Sequence, residues 1–488
     1  MATVDPADPP LEVDSDVDSQ SHSRSDAEPE TDSIINQVEP FEAYQHRVLT
    51  LAQTVVWPDA APDEITVERL GGGSYNRIIG ITRHAGTVSE ATRYILRIPW
   101  WHDEKTAVEN EVAPIRYLQG HTDIPSPGVV MYDKTANNVL ESPYVIQTRI
   151  PGHDLHRFLV GDSELNTAGH LRQITHEGWC ALALGLGQIV RKLLSIRNNI
   201  AGRLLPDPSD ANNILVAPFQ KALKEEPQPV SLNPSSPPTE TAASLLVGMF
   251  RYERARELDL DPDSFLTLMP DFEKMTTEIS EAGFLDDIPV ALCHLDLYPR
   301  NIIINFSDSE GATKGIPKLE AILDWDSAVF APAFMICEPP VYLWNHKLYE
   351  NGEEDGDCED WHIDQTYGPV TEDDKEVKRI FEEAAGEEYM RFAYDPAYRL
   401  VRQLFRFGMK GIHSSWELRD GQKLLDFWQK IKKPKEIASR FTESMESVEI
   451  NRRHETDHTT MEEAKSTDIG LKSWLKGVME KIRRFINM

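Results

Sequence analysis

His294-Leu-Asp-Leu-Tyr-Pro-Arg-Asn301, followed downstream by Asp324-Trp-Asp326, is the stretch on which the fold of this chain turns. Asp296 precedes Asn301 by five positions, so one loop can aim a carboxylate to one side and an amide oxygen to the other. Asp324 follows the apolar residues Leu319, Ala321, Ile322 and Leu323, which read as a short buried strand carrying a carboxylate at its end. Asp, Asn and Pro also form ordinary turns. The flanking runs Ile288–Cys293 and Ile302–Phe306 decide between the readings, because they look like strands entering and leaving the loop. A base with two oxygen ligands converging on Mg²⁺ is what moving a phosphoryl group from a nucleotide to a hydroxyl requires.

These residues resemble the aminoglycoside phosphotransferase and choline kinase-like family, particularly its fungal phosphotransferase branch, over about residues 64–430. The resemblance implies an α+β, two-lobed protein-kinase-like fold, with a small β-rich N-terminal lobe and a larger, mainly helical C-terminal lobe. It implies Asp296 as the catalytic carboxylate, Asn301 and Asp324 as metal ligands, and Asp326 as a second acid near the metal. ATP and Mg²⁺ are the implied cofactors, and the hydroxyl of a small molecule is the implied acceptor.

Upstream, Glu68-Arg-Leu-Gly-Gly-Gly-Ser-Tyr-Asn76 places Gly71, Gly72, Gly73 and Ser74 between the runs Ile65–Val67 and Ile78–Ile81. Such glycines admit backbone N–H groups close to phosphate, and they equally suit a hairpin turn. No Gly-x4-Gly-Lys-Ser/Thr loop is present. The strand Tyr94–Pro99 places Arg97 where a kinase sets a cation, normally Lys, against the nucleotide phosphates. Its expected ion-pair partner is Glu111 in a helix over Thr106–Leu118, with Glu104 and Glu109 as competitors. In Ser142–Gly152 the resemblance implies the linker between lobes, with Gln147 to Ile150 at the adenine edge.

Composition agrees with a two-lobed enzyme: 488 residues, 40% of them hydrophobic, suffice for more than one core. No run of 18 apolar residues occurs and the N-terminus is acidic, so neither a transmembrane segment nor classical secretion is expected. Four scattered cysteines without zinc spacing fit a reducing, cytoplasmic setting. With 81 acids against 50 bases, the field opposes nucleic acid and leans toward a cationic acceptor.

Residues 1–36 read as a disordered acidic tail, 37–150 as the nucleotide lobe, and 151–445 as the catalytic and substrate lobe. Prolines between 204 and 240 suggest a surface insertion rather than a central strand. Helices are expected near 37–57, 179–197, 242–258, 372–392 and 396–409, with Asp364, Glu387, Glu388 and Trp416 as candidate substrate contacts and Trp416 better suited to a core. The short, acidic region after Asp326 lacks a peptide-docking segment, favouring a small-molecule acceptor. Residues 446–468 read as a linker. Residues 469–488 read as a basic amphipathic helix suited to docking on the acidic body or to an anionic membrane.

Overall fold

The computed structural model describes residues 40–71, 76–84, 91–100, 107–160, 174–223, 227–260, 268–306, 315–345 and 368–432. Gly72, Gly73, Ser74, Glu104, Asp364, the acidic tail, the 446–468 linker and the 469–488 helix lie outside them. The architecture is α+β and two-lobed, with a smaller β-rich N-terminal region and a larger helical C-terminal one, consistent with a protein-kinase-like fold.

In the small lobe, strands β1 (Ile65–Arg69), β2 (Asn76–Arg83), β3 (Thr92–Pro99), β4 (Val129–Asp133) and β5 (Tyr144–Thr148) form an antiparallel sheet. Its order is β1-β2-β3-β5-β4. Alternation sends Ile65 and Val67 inward from β1. They meet Ile79, Leu96, Ile98 and Ile146, under Tyr44, Val48 and Leu51 of helix α1 (Phe41–Leu51). Helix α2 (Ala107–His121) belongs to both lobes. Val108 and Val112 pack on Val145 of the small sheet. Ile115 and Leu118 enter the core of the large lobe instead.

The link to the large lobe ends at Gly152, whose φ is +119°. A Cβ there would lie 2.3 Å from the Ile304 carbonyl oxygen, so no other residue fits. Strand β6 (His153–Asp154) follows at once and pairs with β12 (Ile302–Asn305), itself paired with β13 (Lys318–Ile322). Helix α3 (Leu155–Val160) comes next. Helix α4 (His176–Ser195) starts where the Thr175 hydroxyl accepts the Gly178 N–H. A second sheet runs in the order β10-β9-β8-β14-β11-β7. Its strands are β7 (Arg197–Asn198), β8 (Gly202–Asp207), β9 (Asp210–Pro218), β10 (Val230–Ser231), β11 (Val290–Cys293) and β14 (Val329–Pro332).

The expectation of an insertion without a central strand at 204–240 is therefore corrected. β8 lies between β9 and β14, and the prolines are accommodated at its margins. Pro208 occupies the β8–β9 turn, where Asp207 accepts from the Ser209 N–H and from Asn213, while Pro206 precedes a register shift.

Helices α5 (Ala242–Leu260), α6 (Met269–Glu281), α7 (Glu372–Ala385), α8 (Glu387–Ala393), α9 (Pro396–Lys410) and α10 (Ser415–Ile431) complete the lobe. The expected helix over 372–392 is two helices, broken at Gly386, whose φ of +88° ends the first. Trp416 is not a core residue: it stays 45% exposed.

Candidate active site

β12 and β13 run antiparallel with Ile302 opposite Ile322, so the residue before the first and the residues after the second emerge at the same sheet end. This register brings Asn301 beside Leu323 and Asp324, and the Leu323 N–H donates to the Asn301 carbonyl at 2.8 Å. β11 delivers His294 from the neighbouring sheet. The imidazole is buried, its Nε2 donating to the Leu323 carbonyl at 2.8 Å while its Nδ1 accepts the Asp296 N–H at 3.2 Å. Both nitrogens are thus spent on the neutral ring, and burial holds the pKa below its ordinary value. His294 ties the two loops together, with its ring edge-on to buried Trp325 at 4.6 Å.

Within the loop, Asp296 accepts from Arg300 at 2.6 Å and from the Asn301 amide nitrogen at 2.7 Å. The same nitrogen donates to the Asp296 carbonyl at 2.9 Å. With its nitrogen so engaged, Asn301 has its amide oxygen to offer as an acceptor. Asp324 sits in the left-handed region, at φ 61° and ψ 59°. That conformation is uncommon for a residue with a Cβ, though Asp adopts it more readily than most. Burial and the Asp324 carboxylate push Asp326 up to about 6. Two crowded carboxylates and an amide oxygen are the hard, oxygen-only donor set that suits Mg²⁺. Ser327, whose hydroxyl has no hydrogen-bond partner among the described residues, borders the same space.

From the small lobe, Arg97 on β3 reaches two acids. Its Nε is 2.7 Å from Glu111 Oε1, off the line of a hydrogen bond, and its Nη2 donates to Asp324 Oδ1 at 2.8 Å. Burial opposes the charge on Arg97, yet Glu111, Asp324 and Asp326 outweigh it and hold the pKa raised. Burial pushes the Glu111 carboxyl up to about 7, an effect Arg97 offsets only in part. Glu109 pairs with Lys134 instead.

Gln147, expected at the adenine edge, is placed in β5. It is buried inside β5, opposite Ile95 of β3 and Val129 of β4, and its side-chain amide donates to Glu111. Gln147 lies one residue from the end of β5, and its side chain positions Glu111. Neither Gln147 nor Ile150 borders the large cavity. Gly71 stands exposed with open space around it.

That cavity, about 1270 Å³, lies between the lobes and is bordered by Glu111, Asp296, Asp324 and Asp326. Its lining also includes Arg399, Arg402, Arg406 and Lys410 of α9. These residues were missed in the sequence, although their spacing of three, four and four places them along one helical face. Glu388, a candidate contact, pairs with Arg197 instead.

No family model matches the chain, and no curated protein matches it. Among solved structures, it is similar to an ADP-bound aminoglycoside phosphotransferase, APH(2'')-Ib, at 13% identity over 78% of this chain and 97% of that one, with a TM-score of 0.41. It is similar to the Plasmodium vivax ethanolamine kinase at 12% identity over 81% and 90%, with a TM-score of 0.39. To the choline kinase from Cryptosporidium parvum it is similar at 11% identity over 80% and 95%, with a TM-score of 0.38. Overlaps of this extent carry no argument, and the two-lobed architecture stands on the chain's own strand order and helices.

Proposed function

We propose that the chain is an ATP- and Mg²⁺-dependent phosphotransferase that moves the γ-phosphoryl group to a hydroxyl of a small molecule. The observation that carries this reading is the convergence of Asp296, Asn301, Asp324 and the Arg97–Glu111 pair, of which Glu111, Asp296 and Asp324 border the interlobe cavity. Asp296 orients the acceptor hydroxyl and takes its proton. The hydroxyl oxygen forms the new bond to the γ-phosphorus, and the bridging P–O bond breaks with its electron pair leaving on ADP. Asn301, Asp324 and Asp326 would hold Mg²⁺, which supplies charge neutralisation on the phosphates. Arg97, with Gly71 to Ser74, meets the nucleotide. The likeness to the fungal branch belongs to this proposal as well.

The test is Asp324→Ala, which removes a metal ligand. Metal-dependent transfer is expected to fall by about a hundredfold or more. Unchanged turnover in that variant would sink the assignment.

A second reading is a nucleotide-binding pseudokinase or scaffold. It is favoured by the Arg97–Asp324 contact, in which a guanidinium occupies the carboxylate that the first reading gives to metal. Tight ATP binding without transfer to any acceptor, and without dependence on Mg²⁺, is its signature.

A further inference from the structure

Where α4 and α7 begin, three different metal-binding side chains meet. His176 and Cys180 are four residues apart on α4, so the helical repeat stacks them on one face. Glu376 comes from α7. The His176 Nε2 lies 3.0 Å from Glu376 Oε2 and 3.6 Å from Cys180 Sγ, and the three ligand atoms all lie within 4.8 Å of one another. His176 and Cys180 are partly covered and Glu376 is exposed, so an ion can enter from solvent. None of the three borders the interlobe cavity, which separates them from the acids assigned to Mg²⁺.

An ion pair between His176 and Glu376 accounts for two of these groups and leaves the thiol unexplained. A free cysteine packs as a small apolar side chain, as fully buried Cys293 and Cys337 do. Cys180 lies at the margin of the core, with its sulfur against an imidazole nitrogen. Ligand atoms on one tetrahedral ion, at about 2.0–2.3 Å from it, stand about 3.3–3.8 Å apart. The His176 separations are close to that range, and the helices that carry them are held together further along by the close approach at Gly187. The surrounding charge favours a cation as well. Glu376, Glu177 and Asp373 act on Cys180 against the guanidinium of Arg379, which itself pairs with Glu383 at 2.8 Å and with Glu376 at 3.8 Å. An imidazole nitrogen, a thiolate and a carboxylate form a donor set that suits Zn²⁺ and is foreign to Mg²⁺.

We propose that His176, Cys180 and Glu376 form a site for a borderline divalent transition-metal ion of the Zn²⁺ class, which ties α4 to α7 and keeps one position open to solvent. On binding, the Cys180 S–H bond breaks, a metal–sulfur bond forms and the proton passes to solvent, with no change of oxidation state. The ion takes the place of the hydrogen bond between His176 and Glu376. The site is independent of the phosphotransferase reading.

The experiment is titration of the full-length chain, free of any affinity tag, with Co²⁺ in the presence of excess Mg²⁺, followed by absorbance. Tetrahedral Co²⁺ on a thiolate gives a sulfur-to-cobalt charge-transfer band and intense visible bands, which an all-oxygen octahedral site does not. Both are expected to grow to one equivalent and to be bleached by Zn²⁺. Cys180→Ser should abolish the charge-transfer band, and Cys358→Ser should retain it. His176→Gln should weaken Zn²⁺ by about tenfold or more, the loss that even an outer-shell partner causes. Alkylation of the unaltered chain by iodoacetamide, mapped by peptide mass, needs no variant and decides the matter if one does not fold. Zn²⁺ should slow the reaction at Cys180 and leave Cys358 unaffected. Absence of the charge-transfer band, its survival in Cys180→Ser, or its loss in Cys358→Ser overturns the proposal. So does an unchanged Zn²⁺ affinity in folded His176→Gln, or alkylation of Cys180 at the same rate with and without Zn²⁺.

Discussion

Two carboxylates in the cleft do different work. Asp296 accepts two side-chain hydrogen bonds that fix its direction toward the cavity. Asp296→Asn keeps the shape and removes the charge that the proposed base requires. Transfer is expected to fall by about a thousandfold while nucleotide affinity stays unchanged. Equal losses in both measurements would mean that Asp296 supports the nucleotide site instead. Glu111 is buried, and its pKa is pushed up from 4.5 to about 7. Between those values the folded chain keeps a proton that the unfolded chain has released. The stabilisation from this proton is complete below about pH 4.5 and is lost as pH rises through about 7. Glu111→Gln carries no titrating proton, so the stability of the parent relative to the variant should decline between pH 5 and pH 8 in chemical denaturation. A difference that is constant across that range would reject the assignment.

At the scale of elements, α4 and α7 are joined through a close approach at Gly187. A Cβ there would lie 2.7 Å from both Ala384 Cβ and the Phe381 carbonyl oxygen. The His176–Glu376 ion pair spans the same two helices at 3.0 Å. Gly187→Ala should therefore destabilise by about 1–3 kcal/mol through overpacking. Gly185 is the internal control, because its added Cβ would meet only Leu319 Cδ1, at 4.0 Å. Gly185→Ala should be neutral or gain about 0.5–1 kcal/mol from reduced chain entropy. Equal effects of the two substitutions on the denaturation midpoint would show that helix propensity, not interhelix distance, governs the site. The helix periodicity at 179–197 was legible in sequence, but the partner that makes one glycine indispensable and another replaceable was not.

Across the whole molecule, the lobes are held in register by α2, which contributes to both cores, and by Arg97, which carries the small lobe's charge to Asp324. A lysine ammonium cannot hold Glu111 and Asp324 in one planar fork. Arg97→Lys is therefore expected to raise the KM for ATP by about tenfold, and Arg97→Met to cut turnover by about a hundredfold. Undiminished turnover in Arg97→Met would identify the interlobe ion pair as purely structural. Among the described residues, no helix is long and apolar enough to cross a membrane.

Local order alone determined a good part of this protein. The apolar runs before His294 and Asp324 specify strands, because alternating or continuous burial over four or five residues is a short-range property of the chain. The amphipathic repeat at 396–409 specifies a helix for the same reason. Glu111 was legible as the expected partner of Arg97 with Glu104 and Glu109 as competitors, and the structure sets it 2.7 Å from Arg97. What sequence could not supply was which element each face meets. Gln147 reads as the edge of a linker until β3 and β4 flank it, and the prolines of 204–218 read as a loop until β14 pairs with β8. Pairing and enclosure are set by contacts between residues far apart in the chain, and only the tertiary structure decides them.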